Sequence, residues 1–340
     1  MEKELEGKTV VITGASAGLG RAMVREFAKH GANIGLLARG IDGLNAAKDE
    51  VEACGSQALV APTDVANADA VEAAAQQIED RFGKIDVWIN NAMVSVFGPF
   101  KELTPKDYKR VTDVTYHGQV YGTMAALKRM LPRDNGTIIL IGSALAYRGI
   151  PLQSAYCGAK HAIHGFFESL RSELIKDKSN VKLSMIQLPA MNTTQFGFVK
   201  SYLKNEPKPM GKIYEPELVA KAVVEVAKKH QREVYVGYST VKTIVGNKVL
   251  PGYLDRYLAA TGYDGQQTNK PVSPTRKNNL YRPLAGDHGA RGNFAASATD
   301  SSIETWMATH RRTTLGFFAT VAAGIFAIAL LKNKLMQIHL

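Results

Sequence analysis

Through the first 240 positions, short runs of apolar and β-branched residues alternate with longer stretches of helical periodicity. TVVIT at residues 9–13 leads into a helical pattern from Leu19 to His30, NIGLLA into one that ends near Ala53, and QALVAP into a third from Ala66 to Phe82. VWIN, GTIILIG, KLSMIQL and EVYVG continue the series, separated by helical stretches from Thr104 to Met130, Ser154 to Lys176 and Pro216 to His230. Strands apolar at every position are buried on both faces, and a regular strand-helix repeat means parallel crossovers. The pattern predicts an α/β fold with a doubly wound parallel sheet over residues 1–240.

The regularity ends near Val241. From Tyr263 to Ser302 the chain is dense in Gly, Pro, Asn, Gln and Ser, so residues 241–310 read as a polar extension or linker, an extended loop or partly disordered. Residues 311–340 contain LGFFATVAAGIFAIALL, Leu315 to Leu331, flanked by Arg311, Arg312, Lys332 and Lys334. This uncharged run is long enough, at ~1.5 Å per residue, to cross roughly 25 Å of bilayer. It predicts a terminal apolar helix that anchors the chain in a membrane, with packing on a partner subunit as the competing reading. The N-terminus carries no apolar run of secretory type, which points to a cytoplasmic catalytic domain attached by its C-terminus to the inner membrane.

Composition narrows the function classes. Two cysteines, Cys54 and Cys157, are too few for a disulfide framework or a metal cage. The net charge of +11 lies mostly in the tail: the first 240 residues carry 30 basic and 26 acidic side chains, and the last hundred carry 12 and 5. No basic stripe with interleaved aromatics crosses the predicted sheet domain, which argues against a nucleic-acid partner.

The first strand runs into TGASAGLG, with Gly14, Gly18 and Gly20 ahead of the helix that starts near Leu19. Glycines at the first strand-to-helix turn let the backbone approach a pyrophosphate, whose charge meets the helix N-terminus. At the end of the second strand, LLARG offers Arg39 where an enzyme preferring NAD usually presents an acid. A guanidinium suits a 2′-phosphate, so NADP is favoured over NAD, although a solvated arginine after a strand has the same signature. Asp64 and Val65 follow the third strand and are placed to meet an adenine; Asp64 serves equally as a helix N-cap.

AYCGAKHAIHGF places Tyr156 four residues before Lys160, one above the other on a helix. The spacing alone decides little, because Tyr238 and Lys242 repeat it in a chain with 13 tyrosines. Taken together, TGASAGLG, the NNA of Asn90 to Ala92, Ser143 after the fifth strand, and Tyr156-x-x-x-Lys160 thirteen residues later resemble the short-chain dehydrogenase/reductase family over residues 5–240. The whole chain, with its polar tail and terminal apolar run, also resembles an uncharacterised bacterial subgroup of that family.

The resemblance implies a Rossmann fold and an NAD(P)-dependent oxidoreductase for a small-molecule alcohol or carbonyl. It implies Tyr156 as the proton donor or acceptor, Lys160 as the cation that lowers its pKa and bonds the nicotinamide ribose, and Ser143 as the donor to the substrate oxygen. Ser16, Leu19, Asn90, Ala92, Pro189 and Thr193 match cofactor-side positions, with Thr194 competing with Thr193.

Three positions depart from the family pattern. Thr115 stands where an asparagine supports a water relay, Met93 replaces a glycine and reads as core or pocket lining, and Ala190 replaces a second glycine. Phe196 to Tyr214 predicts an apolar lid. An apolar, lipid-like substrate is the favoured expectation; the alternative is a catalytically weak NADP-binding scaffold or redox sensor. The long helices imply a homodimer or homotetramer. His161 and His164 read as surface or interface residues.

Overall fold

The computed structural model describes residues 4–310 and 313–314. Seven strands form its main sheet among the described residues: β1 Thr9–Thr13, β2 Asn33–Ala38, β3 Ala58–Pro62, β4 Val87–Asn90, β5 Thr137–Ile141, β6 Lys182–Gln187 and β7 Glu233–Tyr235. All neighbours pair in parallel, in the order β7-β6-β5-β4-β1-β2-β3. The order reverses between β1 and β4, which opens a crevice at the carboxyl ends of those strands.

The apolar strands are buried as their sequences require; β1 and β4 are buried at every residue. One face is covered by α1 (Gly18–Lys29), α2 (Ile41–Ala53) and α8 (Pro216–Lys228). The other carries α3 (Ala68–Phe82), α4 (Pro105–Thr112), α5 (Gly118–Met130) and α6 (Ser154–Lys176). The stretch predicted as one helix from Thr104 to Met130 is continuous, but a π-turn at Asp113–His117 joins α4 to α5. Such insertions re-aim the following side chains and occur often at functional sites. Asn67, not Asp64, caps α3: its side chain accepts from the Ala70 amide at 3.0 Å.

Between residues 241 and 310 the chain stays with the body. A short helix α7 (Gln195–Phe198) lies in the predicted lid, and α9 (Tyr238–Val249) and α10 (Pro251–Gly265) follow β7. The polar segment after α10 is mostly irregular, as its composition suggests, yet it is anchored. Leu280 is fully buried in the core cluster of the α3–α6 face, and α11 (Ile303–Thr309) buries Thr305 and Thr309 near β7. Leu315 to Leu331, the predicted anchor, lies outside the described residues; among those described, no helix is long and apolar enough to cross a membrane.

One contact fixes the start of α1 against β1. A Cβ added at Gly20 would stand 2.0 Å from the Gly14 carbonyl oxygen, and backbone cannot yield there cheaply. Gly20→Ala is therefore expected to lower folding stability by about 2 kcal/mol or more, seen as a lower denaturant midpoint. An unchanged midpoint contradicts this packing.

Candidate active site

The crevice at the reversal point opens into one cavity of about 830 Å³. At its floor, Gly14 turns with a positive φ of 70°, and its amide donates to the Leu37 carbonyl at 2.7 Å. A Cβ at Gly14 would fall 2.9 Å from Ala92 Cα, so β1 and β4 approach each other too closely for a side chain there. Helix α1 begins with Ala17 as its cap, without a capping side chain or an acid in its first turn. The Gly18 amide donates to the Gly289 carbonyl at 2.9 Å, while the amides of Leu19 and Gly20 have no acceptor among the described residues. Open first-turn amides beside a glycine turn fit a pyrophosphate. Ser16 and Leu19 line this part of the cavity.

At the opposite lip, Arg39 follows β2. Its Nη1 donates to the Leu280 carbonyl at 3.3 Å and its Nη2 to the Asn279 carbonyl at 2.5 Å. A guanidinium has five N–H donors, so these two bonds leave others for a ligand. Arg110, which the sequence did not single out, donates to the same Leu280 carbonyl at 3.1 Å and to Asp64 Oδ2 at 2.6 Å. Burial first, and the Arg110 cation second, pull the Arg39 guanidinium below its usual value. Two cations facing one carboxylate leave the lip short of negative charge, which suits the 2′-phosphate of NADP. Asp64 and Val65 line the cavity beside them.

The third group sits where β5 ends and α6 begins. Ser143, 6% exposed, Tyr156 and Lys160, 1% exposed, line the same cavity. Lys160 Nζ donates to the Ile141 carbonyl at 2.6 Å and lies 5.5 Å from the centre of the Tyr156 ring. Burial pushes the Lys160 amine down to about 7. Burial also pushes the Tyr156 phenol up, against a smaller lowering by the Ser143 hydroxyl. The family resemblance implies a lysine cation that lowers the tyrosine, whereas here desolvation acts on both groups in favour of their neutral forms.

Several expected residues are placed differently. Asn90 is fully buried and its side chain faces α5, accepting from Trp88 Nε1 at 2.9 Å and donating to Thr123 Oγ1 at 3.0 Å. Consecutive strand residues point to opposite faces, so Asn91, beyond the end of β4, lines the cavity in its place. Asn91 Nδ2 donates to the Thr13 carbonyl at 2.9 Å, and Ala92 lines the cavity beside it. Thr115, in the π-turn, does not reach the cavity. Its hydroxyl donates to the Val94 carbonyl at 2.9 Å and accepts from the Val94 amide at 3.2 Å, which uses it to fix the chain after β4 rather than to hold a relay water. Met93 lines the cavity and is not core.

Pro189, Thr193 and Thr194 line the cavity, the two threonines beside Gly18, and the Thr194 hydroxyl is buried with no hydrogen-bond partner among the described residues. The lid residues Phe196, Val199 and Leu203 pack with Phe97 and Leu152 in a small cluster of their own. His164 bonds the Tyr147 hydroxyl at 2.8 Å and His161 the Cys157 carbonyl at 2.8 Å, and no metal-type cluster occurs among the described residues. The second tyrosine-lysine pair, Tyr238 and Lys242, stands on α9 and lines the far end of the cavity with Leu250, Tyr253 and Leu254. Helices after residue 240 therefore complete this end of the site.

A dinucleotide-type crevice joined to a serine, a tyrosine and a buried lysine defines a nucleotide-dependent oxidoreductase of the Rossmann class. The family model described as short chain dehydrogenase matches residues 8–201, and the chain belongs to that family. It is 34% identical over 288 residues to the uncharacterized oxidoreductase YxnA of Bacillus subtilis (strain 168), covering 84% of this chain and 81% of that protein. It is 30% identical over 278 residues to the ketoacyl reductase HetN of Nostoc sp., covering 82% of this chain and 89% of that protein. Among solved structures, a metagenomic short-chain oxidoreductase in complex with NADP superposes with a TM-score of 0.59 at 27% identity, covering 68% of this chain and 98% of that one.

The depressed Lys160 value makes a stability prediction. The unfolded lysine keeps its proton up to the ordinary lysine value of 10.5 while the folded one releases it near 7, so the unfolded state binds more protons between those values. By linkage, stability rises with pH from about 7 until Cys157, raised from 9.0 to about 11, begins to oppose it. Denaturant midpoints of the ligand-free protein between about pH 7 and 9 should climb, and Lys160→Met should flatten the climb. Equal slopes in the two proteins contradict the buried neutral amine.

Proposed function

We propose that this protein is an NADP-dependent reductase or dehydrogenase that interconverts an apolar carbonyl compound and its alcohol. The observation that carries the reading is that the glycine turn, Arg39, and the Ser143, Tyr156 and Lys160 side chains line one continuous cavity. The NADP in the metagenomic neighbour and the ketoacyl reductase activity named for HetN are consistent with it.

Bound reduced nicotinamide supplies a hydride to the carbonyl carbon. Ser143 holds the carbonyl oxygen by donating its hydroxyl hydrogen, which restrains the substrate for attack. Tyr156 gives its phenolic proton to the oxygen as negative charge develops there. The phenol holds its proton at neutral pH and can donate it in reduction, but burial raises its pKa and so weakens it as an acid until a cation stands beside it. Lys160, raised toward its charged form by any anion formed beside it, steadies the tyrosinate left behind.

The far end is lined by Met210, Leu250, Tyr253, Leu254, Tyr257 and Leu258, which favours a substrate with an apolar body. Met124, Leu131 and Ile175 are exposed on and next to α5 and α6, which supports pairing of subunits through those helices as a dimer or tetramer. Membrane attachment through residues 315–331 belongs to the same proposal and rests on their composition. Expression of chains ending before Arg311 tests it: the truncated protein should leave the membrane fraction while the full chain remains there.

NADPH oxidation against a panel of aliphatic, aromatic and sugar carbonyls tests the reaction. Apolar carbonyls should turn over best, and Tyr156→Phe should lower kcat about 10²-fold or more while NADPH still binds. Turnover retained in Tyr156→Phe removes the phenol from the reaction. Absence of turnover with every carbonyl favours the cofactor-binding scaffold.

A further inference from the structure

We infer that residues 279–289 are a structural wall of the cofactor crevice, holding Arg39 so that the C-terminal extension sets the preference for NADP over NAD. The inference rests on the NADP reading above and adds to it a segment that follows the sheet domain.

Three independent ties fasten this strap across the crevice. Its root is Leu280, fully buried among the residues that cover the α3–α6 face of the sheet. Next to it, the Tyr281 hydroxyl donates to Asp107 Oδ1 at 2.6 Å; the same buried carboxylate accepts from Lys200 at 2.7 Å and from the Tyr202 hydroxyl at 2.6 Å. At the other end, Arg21 Nη1 donates to Asp287 at 3.0 Å, the Gly286 amide to Asp42 at 2.7 Å, and the Gly18 amide to the Gly289 carbonyl at 2.9 Å. Along this strap, Asn279, Pro283, Leu284, Gly286 and His288 line the cavity.

The consequence falls on Arg39. A free arginine after a strand samples many rotamers and loses side-chain entropy when a ligand orders it. Here two backbone carbonyls of the strap already hold its guanidinium, and Arg110 shares one of them. Backbone acceptors cannot ionise and are placed by Leu280 in the core, so the fork is aimed before a phosphate arrives. Leu280 is thus a positioning residue for Arg39. Its effect should appear only for a nucleotide that carries the 2′-phosphate.

Dissociation constants of NADPH and NADH, read by nucleotide fluorescence with the full chain, test this. Arg39→Ala should weaken NADPH at least about tenfold and leave NADH within about twofold, the loss of a charge-assisted contact. Leu280→Ala should reproduce that selective loss. Because it removes core packing, the double variant Tyr281→Phe with Asp287→Ala loosens the strap from its outer ties alone and should weaken NADPH selectively by several-fold. If Arg39→Ala leaves NADPH binding intact, the 2′-phosphate reading fails and the strap's role fails with it. If Arg39→Ala is selective but the folded strap variants change neither nucleotide, weaken both equally, or tighten NADPH, the strap's role alone is overturned. Hydrogen exchange of amides 279–289 in the unmodified chain gives a second reading: NADP should slow it more than NAD does, and equal slowing counts against the proposal.

Discussion

The bond from Lys160 to the Ile141 carbonyl is the constraint around which the reactive end of this protein is organised. It ties α6, which carries Tyr156, to the end of β5, which leads into Ser143, and so sets the distance between the two hydroxyls. Its energetic side is unfavourable: lowering an amine from 10.5 to about 7 reflects desolvation on the order of 5 kcal/mol. The apolar strands and the helices on both faces supply the stability that holds the amine there. An amine near neutrality responds to any charge that forms beside it, which a fully solvated lysine does far less.

A second constraint operates at the other end of the crevice. Parallel sheets place their loops at the carboxyl edge, and here the edge alone does not close the site. The lip at Arg39 is finished by backbone carbonyls from 240 and 241 residues further along the chain, and the far end by helices α9 and α10. Helices α9 and α10 and residues 279–289 are therefore part of the site's architecture. Anchoring by Leu280, Asp107 and Arg21 also links the strap to the lid residues Lys200 and Tyr202 and to the first turn of α1.

Much of this was legible in the sequence because it is local. Apolar β-branched runs specify buried parallel strands, TGASAGLG specifies a turn only glycine can make, and Tyr156-x-x-x-Lys160 lies on one helix face. What escaped is long-range or sits on the backbone. Nothing in the polar composition of residues 263–302 marks Leu280 as a core residue, and a carbonyl acceptor has no letter of its own. Asn90 and Asn91 are adjacent and chemically identical; only the pleat at the end of β4 decides which faces the crevice. Spacing put the phenol beside the amine, but the direction of each shift depends on how much water the fold excludes. Tyr238 and Lys242 repeat the Tyr156–Lys160 spacing, and their place in the cavity wall follows only from the path of the chain after β7.

The central claim is that one crevice, closed by the C-terminal strap, holds NADP with its 2′-phosphate on Arg39 and its reactive end beside Tyr156. The most direct measurement is the crystal structure of the full chain with NADP bound. The account predicts density for the 2′-phosphate against Arg39, with Asn279 and Leu280 still bonded to its guanidinium and residues 279–289 in place over the nucleotide. A nucleotide bound with the strap displaced, or with its 2′-phosphate turned away from Arg39, would contradict it.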